Sequence, residues 1–280
     1  MIEVLGIEVG AELLASWAQW LAPDPQPFLV APDAWSDIEG DDGVITPELR
    51  DTYRLWGVDK SARVLWLSEE RFAELPRETR ARLVREQVVR RRGAVPTVRA
   101  WEDVFAAPAL REQADGHRFV WWPSLVATEP ERILRLVISE RRLTSRHLEV
   151  ADATWSQCEG VLPNARALAG AFPNGSNENC FGTVLSASGH DTAGVHGSVQ
   201  PFEEWLAAKC RPGGDSSRPG TVLVWRSDGD PVHGAVTIGD GWLLEKPSQE
   251  WHSPRGIARV ADVVRTTKMS GQRLERHTLV

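Results

Sequence analysis

Cysteine, tyrosine and positive charge are all scarce in this chain. Three cysteines, Cys158, Cys180 and Cys210, stand in 280 residues. An odd number at wide spacings excludes a disulfide framework and a Cys-x-x-Cys zinc knuckle, and leaves free thiols in a reducing compartment. No apolar run approaches the roughly 20 residues that span a bilayer. The opening Met1–Val9 carries Glu3 and Glu8 where an export signal needs basic residues, so the expected compartment is the cytoplasm, with no membrane partner. Lys and Arg number 32 against 39 Asp and Glu, a net charge of -7. No overall basic field gathers phosphate backbones, and nucleic acid is not an expected partner. Internal repeats, low-complexity tracts and Gly-Ser linkers are also missing. The single Tyr contrasts with 13 Trp, a skew assigned to core and interface packing rather than to a sugar-binding surface.

What is present is enough apolar residue, 42%, for one large core or two modest ones. Leu13, Leu14, Trp17, Trp20 and Leu21 recur at helical spacing and predict an amphipathic helix ended by Pro23 and Pro25. Phe28–Val30 reads as a short extended piece within a proline-rich surface loop that includes the acidic turn Asp37–Gly43. Thr46 before Pro47 and Ser68 before two glutamates read as helix caps, and Arg63–Leu67 between them as a buried strand. Pro76–Arg92 predicts a long helix with Leu83, Val84 and Val88 on one side and a solvated, arginine-rich face. Phe119–Pro123 reads as a strand or edge segment, and Glu129–Glu140 as a helix. The predicted division is a mainly helical region over 1–150, a substrate wall or docking surface, and a second domain over 151–280.

The chemistry is concentrated in the second region. Leu162–Gly170 predicts a short helix, and a turn-rich loop then delivers Cys180 to the first turn of the next helix. The unpaired N–H groups and positive dipole end there favour a thiolate and can hold an oxyanion. Thr221–Trp225, Gly234–Ile238 and Trp242–Glu245 are strand-like, and the Ser227–Pro231 and Gly239–Gly241 turns join them into an antiparallel meander. His233 enters the second strand and Glu245 lies on the third. Pairing brings them to cross-strand distance, where a carboxylate orients an imidazole.

Asn179-Cys180-Phe181-Gly182-Thr183, the strand Pro219–Trp225, and the strand and turn His233–Gly241 resemble the motifs of the NlpC-type bacterial cysteine peptidases. The spacings of 53 residues from Cys180 to His233 and 12 from His233 to Glu245 suit that family. The resemblance covers about residues 160–265. It implies an α+β, papain-like fold in which a nucleophile helix packs on an antiparallel sheet, with Cys180 as nucleophile, His233 as base and Glu245 as third member. The activity implied is that of a cysteine-dependent amide or ester hydrolase or acyltransferase, with no cofactor and no metal. Asn179 and Phe181 stand where the family has Asp and Ser, and its aromatic approach loop is missing. A cytoplasmic small-molecule or peptide substrate, or an acyl carrier, is therefore expected in place of the cell wall.

Other residues carry paired readings. Asn177 and Asn179 are either oxyanion donors or helix caps. Phe181 and Trp242 are candidates to line the substrate, as are Trp251, His252 and Arg255. His190 and His196 belong to a Gly-rich loop that reads as a lid, as a source of an alternative base, or, with Asp191, as a metal site for a hydrolase. A silent binding or assembly protein with the same fold is the reading from a different class.

Overall fold

The computed structural model describes residues 2–31, 35, 41–43, 45–55, 57–58, 62–138, 142–190, 192, 199–267 and 270–280. The chain divides into two compact units, Met1–Val9 with Ser139–Val280, and Gly10–Ile138. The division thus lies at Ile138 and not near residue 150. The first residues belong with the C-terminal unit because strands β1 (Glu3–Val4) and β2 (Ile7–Glu8) form a small antiparallel ribbon that packs there. The Ser145 N–H donates to the Leu5 carbonyl (2.8 Å) inside that unit. Among the described residues no helix is long and apolar enough to cross a membrane.

In the unit Gly10–Ile138, the helix Ala11–Leu21 buries Trp17 and Leu21 as its spacing predicts. Strands β3 (Gln26–Val30), β4 (Asp41–Gly43) and β5 (Arg63–Leu67) form an antiparallel sheet in the order β3-β5-β4. Asp41–Gly43 is therefore a strand; Asp37–Gly40 lie outside the described residues. Thr46 and Ser68 cap their helices by accepting from the Leu49 and Arg71 N–H groups. The helix Arg77–Val89 buries Leu83 and Val84, but Val88 is 39% exposed. Gln87 takes the inward place, accepting from the Leu29 N–H (2.8 Å) and donating to its carbonyl (3.0 Å). The arginine-rich face is mixed. Arg90 pairs with Glu86 at 3.0 Å, whereas Arg92 turns inward to donate to the Pro27 carbonyl (2.7 Å) and the Gln26 side chain (2.8 Å). Phe119–Trp122 is buried but joins no sheet, its place being decided by aromatic packing on Trp101, Phe105, Phe28 and Phe72.

The other unit is built on a six-stranded antiparallel sheet, and the protein is α+β. Its strands are β6 (Cys210–Pro212), β7 (Pro219–Ser227), β8 (Asp230–Gly239), β9 (Trp242–Glu245), β10 (Gly256–Arg259) and β11 (Gln272–Leu279). Their order is β10-β9-β8-β7-β11-β6. Both tight hairpins turn through Asp-Gly pairs with positive φ, Asp228-Gly229 (51° and 96°) and Asp240-Gly241 (51° and 72°). This is the two-residue geometry that matches strand twist and that Asp-Gly favours. The helices Asp152–Glu159, Cys180–Ala187 and Gln200–Lys209 cover one face with Trp155, Val184, Leu185, Phe202 and Leu206, against Val222, Val224, Val236, Ile238 and Leu244. The other face carries Leu223, Trp225, Ala235 and Leu243 beneath the helix Val260–Thr267.

Candidate active site

Cys180 is the first residue of its helix, as the loop chemistry predicts, and is 5% exposed. Asn179 is the cap: its Oδ1 accepts from the Gly182 N–H (2.8 Å) and its carbonyl from the Thr183 N–H (3.1 Å). Helix geometry leaves the N–H groups of Cys180 and Phe181 without intrahelical acceptors. Of the two readings of Asn179, the cap is thus present through Oδ1, while an oxyanion would call on its Nδ2 amide; the N–H groups of Cys180 and Phe181 are further candidate donors. Asn177 is half-buried in the approach loop beside Gly175, where a Cβ would stand 3.2 Å from its Oδ1.

The helix approaches β8 closely because residue 234 is glycine. A Cβ there would stand 3.1 Å from Cδ1 of Phe181, tighter than side chains pack without yielding. Phe181 itself stacks on Phe202, with ring centroids 4.6 Å apart, and serves the core. That contact sets the thiol against β8, close enough to His233 and the Gly234 N–H for both to favour its ionised form.

His233 Nε2 is 2.9 Å from Glu245 Oε2, which leaves Nδ1 as the nitrogen to serve the sulfur. The register pairs Glu245 with Ala235, so His233 and Glu245 are diagonal neighbours on one face, still within reach of two long side chains. The residue directly across from His233 is Trp225 on β7, its ring centroid 5.1 Å from the imidazole. Trp225 thus fixes the ring's rotation, a role its place in a hydrophobic strand conceals.

The electrostatics follow. Burial pushes the Cys180 thiol up, but the charge and hydrogen bond of His233, the Gly234 N–H and the charge of Lys246 together bring it below its ordinary value. Burial also opposes the imidazolium of His233, yet Cys180 and Glu245 outweigh it and hold the pKa well above the usual histidine range. Each group favours the charged form of the other, the condition for a thiolate–imidazolium pair.

The approach loop is held by Arg255. Its backbone bridges Ala171, its guanidinium donates to the Phe172 carbonyl (3.1 Å), and it pairs with Glu178 two residues before Cys180. Arg255 is therefore an anchor of the loop where the sequence offered it as a substrate contact. Lys246, next to Glu245, is fully buried and was missed from the sequence. Its signal is a lysine immediately after a strand with no exposed position.

The remaining candidates do not gather at Cys180. Trp242 sits at the other end of β9, its ring covered by Arg259 (3.4 Å) and Arg146 (4.9 Å). His190 is exposed beyond the C-terminal end of the helix that Cys180 opens, whose 8 residues put roughly 10 Å between its ends at 1.5 Å per residue. His196 and Asp191, and with them the metal reading, lie outside the described residues. Among the described residues no group of three or more His, Cys, Asp or Glu is placed to hold a metal ion. Cys158 and Cys210 are free thiols, each pushed up to about 11, chiefly by burial. The chain matches no family model, no curated protein and no solved structure.

Proposed function

We propose that this chain is a cysteine-dependent acyl-transfer enzyme, an amide or ester hydrolase or an acyltransferase, working through Cys180, His233 and Glu245 in a papain-like, NlpC-type arrangement. The observation that supports the reading is a buried thiol at the start of a helix, beside an imidazole whose charge favours the thiolate and which a buried carboxylate holds at 2.9 Å. The Cys180 thiolate attacks the carbonyl carbon, forming a C–S bond and placing negative charge on oxygen toward the N–H groups of Cys180 and Phe181. The imidazolium gives its proton to the leaving amine or alcohol as that bond breaks, and the product is a thioester. Neutral His233 then takes a proton from water or an acceptor amine, whose oxygen or nitrogen attacks the thioester carbon; the C–S bond breaks, the acid or amide leaves, and the thiolate–imidazolium pair is restored. The substrate is a peptide or small molecule, free or on an acyl carrier, in a reducing, cytoplasmic compartment.

The test is a trapped adduct. Iodoacetamide at neutral pH is expected to label Cys180 ahead of Cys158 and Cys210, and intact mass after incubation with activated esters and amides to show an acyl group on Cys180. Cys180→Ala is expected to abolish labelling and turnover together; hydrolysis that survives in this variant rejects the reading. The slight exposure of Cys180 favours a second reading, a binding protein with the constellation but without turnover. Rapid alkylation with no acyl adduct from any substrate supports that one.

A further inference from the structure

We propose that Lys246 is the counter-charge of the Cys180–His233–Glu245 constellation, a positioning residue that acts through the thiol and keeps it ionised. Lys246 is 0% exposed, an unfavourable place for an ammonium ion unless other groups compensate it. Its Nζ donates to the carbonyls of Ser248 (2.6 Å) and Glu250 (2.8 Å), which supply dipoles but no neutralising charge. Side chains alternate along a strand. Leu243 and Glu245 point to the face where Glu245 meets His233, while Trp242 and Leu244 belong to the core cluster that contains Cys180. Lys246 follows Glu245 directly at the end of that strand.

The cation opposite does not relieve it. Glu245 pairs with Gly256, and Arg255 just before that glycine has its charge answered by Glu178 and disfavours a second positive charge at Lys246. Among the described residues, Cys180, Glu178 and Glu250 act on Lys246 besides Arg255, Glu245 precedes it in sequence, and His252 lies 4.0 Å from Glu250. Burial lowers the Lys246 pKa to about 8. Of the anions that favour its charged form, Cys180 acts most strongly, ahead of Glu250 and Glu178.

The charge count explains why a lysine is needed. Thiolate, imidazolium and carboxylate together carry one net negative charge in a buried site, and Lys246 cancels it. In the tetrahedral intermediate the oxyanion replaces the thiolate, and in the thioester His233 and the sulfur are both neutral. With Lys246 charged, these four groups sum to zero at each of these stages, so the chemistry leaves their net charge unchanged in a medium of low polarity. The proposal concerns the thiol's ionisation and stands whether or not acyl transfer follows.

The experiment is the pH profile of iodoacetamide alkylation at Cys180 in the full chain, the site located by mass spectrometry. Lys246→Met is expected to move the acid midpoint upward by about one unit, a rate loss of about tenfold on the acid side, while Lys246→Arg keeps the wild-type midpoint. A folded Lys246→Met with an unchanged midpoint overturns the proposal. Should the methionine variant fail to fold, the wild type decides. Coupling is reciprocal, so alkylating Cys180 must lower the Lys246 pKa followed by lysine-selective NMR, and an unmoved Lys246 overturns the proposal equally. Failure of the acyl-transfer reading looks different: turnover is absent while both shifts remain.

Discussion

Cys158 and Cys180 sit in one hydrophobic cluster, both buried and both on helices of eight residues, yet their thiols are pushed in opposite directions. Cys158 lies in the last turn of its helix, where the dipole end is negative, and its neighbour Glu159 adds to what burial has already raised. Cys180 opens its helix, faces a histidine and the Gly234 N–H, and feels Lys246. Burial by itself makes a cysteine inert. What makes one reactive is its end of the helix together with the charges that share its burial, so position along an element decides between core and chemistry.

The comparison can be broken from either side. The largest effect is expected from His233→Ala, which removes both the base and the partner of the thiolate. Turnover should fall by about 100- to 10,000-fold, the usual range for a positioned general base, and the alkylation profile of Cys180 should move toward those of Cys158 and Cys210. A variant that keeps the wild-type profile would show that the helix end alone activates the thiol. Gly234→Ala tests the packing that sets the distance. Gly234 does not have positive φ, so its backbone accepts alanine. The new methyl group meets a Phe181 ring already stacked on Phe202, and overpacking of this kind costs about 1–3 kcal/mol. A lower Tm with slower alkylation of Cys180 is expected; an unchanged pair of values would show that the ring yields freely. The smallest effect belongs to Cys158→Ala, which trims a well-packed sulfur from the core for about 1 kcal/mol and should leave alkylation and turnover untouched. A loss of either would undo the contrast between the two cysteines.

Legibility in the sequence follows the range of the interaction. The caps at Thr46 and Ser68, the Asp-Gly hairpins and the start of a helix at Cys180 depend on neighbours within a few residues, and each could be read. The meander of β7, β8 and β9 was legible as well, since short turns leave little choice of pairing. Strand β11 was not: it is half-exposed, carries charged residues along its length, and pairs with β7 at a separation of 45 residues even at its nearest register, Gln272 with Ser227. Val88 and Gln87 changed places because the Gln87 carboxamide satisfies both backbone groups of Leu29, a gain that periodicity does not see. Trp242 looked available for substrate until Arg146 and Arg259 covered it.

The amino-acid sequence by itself determined that Cys180 begins a helix, that His233 and Glu245 occupy adjacent antiparallel strands, and that the other two cysteines lack partners of that kind, because caps, turns and alternation are local. Only the tertiary structure decided that Trp225 backs the imidazole, that Arg255 ties down the approach loop, and that Lys246 is buried in the same site. Those roles depend on the close approach of helix to sheet that Gly234 permits. They also depend on the sign of the electrostatic balance, which changes from unfavourable to favourable only when burial and opposite charge meet at the same atom.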